Sequence, residues 1–330
     1  MENLSSPSPH QRRVTGRQLA LAAGLIAGAA ALVRRRRNRV DAQVAVADLP
    51  SLIGLDVHEA TVSTDDGASL YAIVAGAETG PTVVLAHCWA GNHTFWNSVT
   101  RSLVADGYRV ISYDHREHGL STGGRNPLTT DQLGDDLLTV LTTLGAQDAV
   151  VVGHSMGGMA IQGMLSKHPP VLERLHGVIL VATSARPLGI EISRRLAHQA
   201  VGDRRTKFLA RLSPDWVRPA FGPAAGPVLF RQLHDAVVAT SGAGRADGLV
   251  ALSVTDFRGR LGHVTLPTRI VVGSHDRLTP PFHSRKLTDL IPGAEMMFLE
   301  RVGHMVPLES PQAVVDAVRS IPAPATASTT

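Results

Sequence analysis

The sequence predicts an α/β fold: an eight-stranded, mostly parallel sheet with helices on both faces and a helical insertion late in the chain. Three observations predict it. From Val57 onward, short β-branched or apolar runs alternate with amphipathic helical patterns, the signature of strands joined by crossover helices. The turn Gly153-His154-Ser155-Met156-Gly157 joins an apolar run, Ala149-Val150-Val151-Val152, to a small-residue stretch of helical character from Gly158 to Leu165. Between Ser184 and Leu266 the alternation stops for about 80 residues, far too many for an ordinary connection.

Each element has its own reason. Val57–Thr64 and Ser69–Ala75 flank the turn signal Asp65-Asp66-Gly67 and read as a hairpin. Thr82–Ala86 is a buried strand, His93–Ala105 a helix and Arg109–Tyr113 the next strand. Thr130–Leu144 is an amphipathic helix that opens on a capping threonine with Asp131 in its first turn. Asp148–Val152 leads into the Gly153–Gly157 turn, and Gly177–Ala182 follows as a strand. Ile190–Gln199, Arg204–Leu212 and Ala224–Thr240 look helical between breaks at Pro and Gly, and residues 185–265 read as a helical cap. The alternation resumes with strand Arg269–Val272, helix Pro280–Leu290, strand Glu295–Leu299 and a closing helix Pro311–Ser320. The expected organisation is a tail over 1–40, a first core part over 41–184, the cap, a second core part over 266–321, and a disordered Pro/Ala/Ser/Thr tail over 322–330.

With 330 residues and 44% hydrophobic content the chain can bury one large core. Its single cysteine, Cys88, excludes an internal disulfide. No Cys or His cluster has zinc spacing, so neither metal nor cofactor is expected. The basic character is local: residues 1–40 carry eight arginines against one glutamate, and the rest holds 24 basic against 27 acidic side chains. The globular part therefore lacks the electrostatic footprint of a nucleic-acid binder. Within the tail, an uncharged run from Gln18 to Val33 lies between Arg12, Arg13, Arg17 and the group Arg34-Arg35-Arg36-Arg37 with Arg39. Its apolar core, Leu19–Val33, is 15 residues, about 22 Å as a helix. Three readings stand: a short membrane-anchoring helix over 18–39, a secretory signal cleaved at Ala45-Val46-Ala47, and a peripheral basic helix. The first gives the expectation of a membrane-associated enzyme with a single N-terminal helix; the others give a secreted or cytoplasmic one.

The chemistry centres on Ser155. A G-x-S-x-G between strand and helix lifts a hydroxyl clear of the sheet and aims the helix N-terminus at the same spot. Serine needs a neighbouring base, and the base a carboxylate that fixes its tautomer. On this architecture acid and base follow the serine in the order Asp, His, each on a loop past a strand. Asp276, after strand Arg269–Val272, is the candidate acid; a carboxylate that merely caps the Pro280 helix is the competing reading, and Asp289 lies inside that helix. His304, in Arg301-Val302-Gly303-His304-Met305-Val306-Pro307, is the candidate base. Two amides must receive the developing oxyanion: that of Met156, and one in the loop His87-Cys88-Trp89-Ala90-Gly91, with Trp89 the favoured donor. The glycines at 153 and 157 are required by the tightness of the turn.

Gly153–Gly158, Asp276, Gly303-His304 and the His87–Gly91 loop together resemble the α/β-hydrolase superfamily, over roughly residues 57–320. Asp114-His115-Arg116-Glu117-His118-Gly119-Leu120-Ser121 is similar to that family's D-x-R-G-x-G-x-S loop. Two residues depart from the pattern: Cys88 and Glu117 stand where glycine is usual, and Cys88 is close enough to the site to be expected thiol-sensitive. The resemblance implies the α/β-hydrolase fold with an inserted cap, and attack of Ser155 on an activated carbonyl to give an acyl-enzyme that water hydrolyses. The implied substrate is a small-molecule carboxylic ester. Cap residues Phe208, Trp216, Phe221 and Phe230 point to an apolar acyl or alkyl group. A cofactor-free perhydrolase, or haloperoxidase-like enzyme, with the same triad and a catalytically silent hydrolase-fold binding protein are the alternatives.

Overall fold

In a computed structural model of the chain, the described residues are 51–187 and 192–322. The strands are β1 (Val57–Ser63), β2 (Ser69–Ala75), β3 (Thr82–Ala86), β4 (Arg109–Tyr113), β5 (Ala149–His154), β6 (Leu175–Val181), β7 (Thr268–Gly273) and β8 (Glu295–Leu299). They form one eight-stranded sheet in the order β1-β2-β4-β3-β5-β6-β7-β8. The β1–β2 and β2–β4 pairs are antiparallel and every other pair is parallel.

Helices α1 (Asn97–Ala105), α2 (Thr130–Thr143) and α3 (Met156–Lys167) cross between strands of the first part. Helices α4 (Arg194–Val201), α5 (Asp203–Leu209), α6 (Pro227–Ala239) and α7 (Gly242–Val254) lie between β6 and β7, with a 3-10 segment, Pro214–Ala220. Helices α8 (Pro281–Leu290), α9 (Val306–Glu309) and α10 (Pro311–Arg319) complete the chain.

The period-2 alternation of the strands divides the core in two. Val84, Val151, Leu180 and Ile270 turn to the face covered by α2, α3 and α8. Val83, Val152, Val181 and Val271 turn to the face covered by α1 and α10. Both faces are buried, which is why the central strands read as continuous apolar runs. Each such side chain removed from water contributes about 1.5–3 kcal/mol, enough for these faces to dominate over local preference. A third cluster, with Phe221, Phe230 and Leu233, lies under the insertion.

Several boundaries differ from expectation. The predicted helix His93–Ala105 is a 3-10 turn, His93–Trp96, running into α1. The predicted Ile190–Gln199 helix starts four residues later, at Arg194, and residues 188–191 lie outside the described residues. Helix α7 was not expected, because Gly242, Gly244 and Gly248 argue against helix. The disordered tail expected from Pro322 onward falls, beyond that residue, outside the described residues.

The expectation of membrane attachment is corrected. Among the described residues no helix is long and apolar enough to cross a membrane. Residues 18–39, on which that expectation rested, lie outside the described residues. Their apolar core, about 22 Å as a helix, is also shorter than the roughly 30 Å hydrocarbon layer.

Candidate active site

The Gly153–Gly157 turn is as tight as its glycines require. Ser155 adopts φ 53° and ψ −111°, in the left-handed half of the map, a conformation that costs about 1–3 kcal/mol in a residue with a side chain. Its backbone is held from both sides. The Ser155 N–H donates to the Val181 carbonyl at 2.8 Å, and the Thr183 hydroxyl donates to the Ser155 carbonyl at 2.7 Å. A Cβ on Gly153 would stand 2.5 Å from the Gly157 backbone, and one on Gly157 would stand 2.2 Å from the Ala86 carbonyl oxygen. Strand end and helix start thus touch backbone to backbone.

The strand register places the two expected oxyanion donors. Ala86 pairs with Gly153, so Trp89 and Met156, each three residues further on, emerge at the same end of adjacent strands. The Trp89 indole N–H donates to the Arg245 carbonyl on α7 at 2.9 Å, and a Cβ on Gly248 would stand 2.6 Å from the indole ring. The side chain is therefore fixed against the insertion. Behind the loop, His87 Nδ1 donates to the Cys88 carbonyl at 2.7 Å, while His87 Nε2 accepts from the His115 N–H at 3.0 Å. Those bonds fix a neutral tautomer. Burial, and then the neighbouring His115 and His118, hold the His87 imidazole well below the usual histidine range.

Asp276 and His304 come together directly. His304 Nδ1 donates to Asp276 Oδ2 at 2.9 Å. The other carboxylate oxygen accepts from the N–H groups of Leu278 (2.9 Å) and Thr279 (2.8 Å), and the Thr279 hydroxyl lies 2.8 Å from Oδ2. Burial alone would raise the Asp276 carboxyl; the imidazole and the Thr279 bonds outweigh it and hold it below the usual carboxylate range. His304 neighbours the serine turn through His154, whose ring centroid is 5.0 Å from that of His304 and whose Nε2 donates to the His304 carbonyl at 2.8 Å. Among the described residues no hydrogen bond joins the Ser155 hydroxyl to the imidazole. Such bonds commonly tighten only once substrate is bound.

The two departures from the glycine pattern have different outcomes. Glu117 takes φ 63°, at roughly 1–2 kcal/mol, and its carboxylate accepts from the Ser241 hydroxyl at 2.7 Å, joining the arginine loop to the start of α7. At Cys88 the backbone needs no positive φ; that conformation falls on Ala90, at 54°. The expectation that Cys88 is thiol-sensitive is corrected, because the side chain is 3% exposed and burial pushes its thiol up to about 12. Of the cap aromatics, Phe221 and Phe230 are buried near Cys88 and Phe95, with Trp216 packed against them, whereas Phe208 is 46% exposed and faces away.

Two residues carry more of this site than their sequence context announced. The Arg116 guanidinium is buried between two carboxylates, with bonds of 2.6 Å to each oxygen of Asp136 and of 2.9 and 3.2 Å to Asp66. Glu309 joins the loop of His304 to the insertion. The motif around Arg116 was visible in sequence, but its partners 20 and 50 residues away were not.

Sheet order, serine turn and paired Asp–His loops define a hydrolase of the α/β class. Residues 81–311 match the family described as the alpha/beta hydrolase fold, and the chain belongs to it. It is 26% identical over 263 residues to the bifunctional esterase/perhydrolase DCH of Acinetobacter calcoaceticus, covering 74% of this chain and 93% of that protein. It is 28% identical over 262 residues to 3-oxoadipate enol-lactonase 2 of Acinetobacter baylyi, covering 79% and 95%. Among solved structures, the enol-lactonase of Burkholderia xenovorans LB400 matches with a TM-score of 0.69 and 26% identity, over 80% of this chain and 99% of that one. Such relatives support hydrolysis of ester bonds.

Proposed function

We propose that the protein is a serine hydrolase that cleaves small carboxylic esters through an acyl-enzyme, with Ser155 as nucleophile, His304 as general base and acid, and Asp276 as the carboxylate that orients it. The observation that carries this reading is an imidazole bonded through Nδ1 to a buried carboxylate, in a loop that meets the serine turn through His154, where Ser155 takes φ 53° between strand and helix. With Nδ1–H donating to Asp276, Nε2 is left as the basic nitrogen. It takes the Ser155 proton as Oγ attacks the carbonyl carbon, and the new oxyanion is received by the Met156 and Trp89 amides. The imidazolium then protonates the leaving alcohol. Water, deprotonated by Nε2, attacks the acyl-enzyme, and collapse returns the proton to Ser155 and releases the acid. Residues 185–265 act in this reading as the cap over a body formed by 41–184 and 266–321. The cluster around Phe221 and Phe230 supports an apolar acyl or alkyl group on the substrate.

The test is fluorophosphonate labelling together with turnover of a graded p-nitrophenyl ester panel. The wild-type chain should label and turn over. Ser155→Ala should do neither, with turnover down on the order of a million-fold. Labelling that survives Ser155→Ala sinks the assignment. A second reading, favoured by the esterase/perhydrolase relative, has hydrogen peroxide replace water in deacylation and release a peracid. The ratio of peracid to acid in the presence of peroxide decides between them.

A further inference from the structure

We propose that Glu309 is a positioning residue whose carboxylate clamps the loop bearing His304 to the insertion, so that docking of segment 220–222 sets where the imidazole stands. Glu309 Oε2 accepts from the Gly222 N–H at 2.7 Å. Oε1 and Oε2 both accept from the Gly303 N–H at 3.1 Å. One carboxylate therefore bridges an amide of the insertion and the amide immediately before His304. The bridge is closed on the other side by the backbone itself, since the His304 N–H donates to the Ala220 carbonyl at 2.8 Å. Neither glycine can carry a side chain here. A Cβ on Gly222 would stand 2.1 Å from the Arg301 carbonyl oxygen and 2.9 Å from the Glu309 carboxylate, and a Cβ on Gly303 would stand 2.4 Å from the Gly222 nitrogen.

The base loop is also held where the Arg301 N–H donates to the Ser274 hydroxyl at 2.8 Å and the Val302 carbonyl accepts from the His275 N–H at 2.8 Å, but neither bond is made at Gly303 or His304. Arg301, three residues before His304, sits at φ 63°, and α9, which carries Glu309, is only four residues long. The imidazole is aimed by Asp276 at Nδ1, by the His154 contact on its carbonyl, and by the two backbone bonds that Glu309 and Ala220 supply. Removing the carboxylate frees the N–H groups of Gly222, Gly303 and Met305 and leaves the His304–Ala220 bond to join loop and insertion here. A displacement on the order of 1 Å at a catalytic group can lower turnover by about a hundredfold.

This inference rests on His304 being the general base, and the experiment separates the two. Glu309→Leu, Glu309→Gln, Glu309→Asp and His304→Ala are made in the full chain. Active sites are counted by fluorophosphonate incorporation at saturation, and hydrolysis of p-nitrophenyl butyrate is expressed per counted site. Glu309→Leu should lower kcat per site at least about tenfold with KM within about threefold. Glu309→Gln keeps one oxygen that can accept from both N–H groups but turns an NH2 toward the Gly303 amide, so its kcat per site should fall between wild type and Glu309→Leu. Should Leu not fold, Glu309→Asp keeps the charge but withdraws the acceptor by one methylene, and its kcat per site should fall several-fold. A wild-type kcat per site in Glu309→Leu or Glu309→Asp, even with fewer sites counted, overturns the clamp and leaves Glu309 a folding residue. Glu309→Gln as impaired as Glu309→Leu overturns it as well. Turnover retained in His304→Ala refutes the base assignment instead.

Discussion

Replacing Arg116 with methionine should cost the fold more than any other single charge deletion described above. The side chain is 1% exposed and sits between Asp66 and Asp136, whose side chains are 8% and 1% exposed. Methionine fills much of the volume but leaves two buried carboxylates without a cation. Removing one partner of a buried ion pair costs about 3–5 kcal/mol, which for a domain of this size lowers the melting temperature by roughly 6–20 °C. The dependence on pH gives a second handle. In the wild-type chain the bond to Arg116 holds the Asp66 carboxyl below the usual range, so its stabilisation is present above about pH 4 and fades as pH falls. Burial already raises the Asp136 carboxyl despite the guanidinium, and without that cation it is raised further above its unfolded value. The folded variant then holds protons that the unfolded chain has lost, and its stability falls as pH rises through that window. Urea unfolding of both proteins at pH 8 and pH 5 should therefore give a larger difference at pH 8; contributions from histidines are common to both and cancel. A difference under about 1 kcal/mol at pH 8, or one that does not change between the two pH values, would refute the reasoning.

Three further outcomes follow from contacts already described. His115 and His154 are pushed down to about 3 by burial, so the unfolded chain binds protons that the folded one refuses; stability should fall by about 2 kcal/mol per histidine between pH 6.5 and pH 5, and an unfolding midpoint that stays flat over that range contradicts it. Gly157→Ala places a methyl 2.2 Å from the Ala86 carbonyl oxygen and should abolish fluorophosphonate labelling or soluble expression, whereas normal labelling would mean that the turn is looser than described. Cys88 should resist a disulfide reagent at pH 7.5 until urea unfolds the chain, and rapid titration of the native thiol would contradict its burial.

Much of the fold was legible because the central strands are buried on both faces and so carry uninterrupted apolar runs such as Ala149–Val152. The serine turn was legible because backbone contact at 153 and 157 admits only glycine. Asp276 and His304 could be named from chain order, and the structure joins them at 2.9 Å. Helix α7 was not legible, since its glycines serve tertiary contact rather than helix formation: Gly242 abuts Asp203, Gly244 abuts Glu117 and Gly248 abuts Trp89. Intrinsic propensity counts those residues against a helix that packing requires. Glu309 gave no local signal, because its partners are amides at 222 and 303, and any residue type offers an amide. The sequence GHMVPLES separates His304 from Glu309 by five positions, and a single turn of short helix folds that interval back on itself.

On the proposed function, the bond from the Trp89 indole to the Arg245 carbonyl makes the insertion part of the reaction centre's scaffolding rather than an exchangeable roof. Chimeras that graft the corresponding segment from a relative would import a foreign neighbour for that indole, and with it a changed seat for the adjacent amide. If Trp89 supplies an oxyanion amide as proposed, selectivity and rate are tied in this chain. On that reading, libraries that vary 242–254 to broaden substrate range should trade turnover for it unless position 89 is varied in the same step.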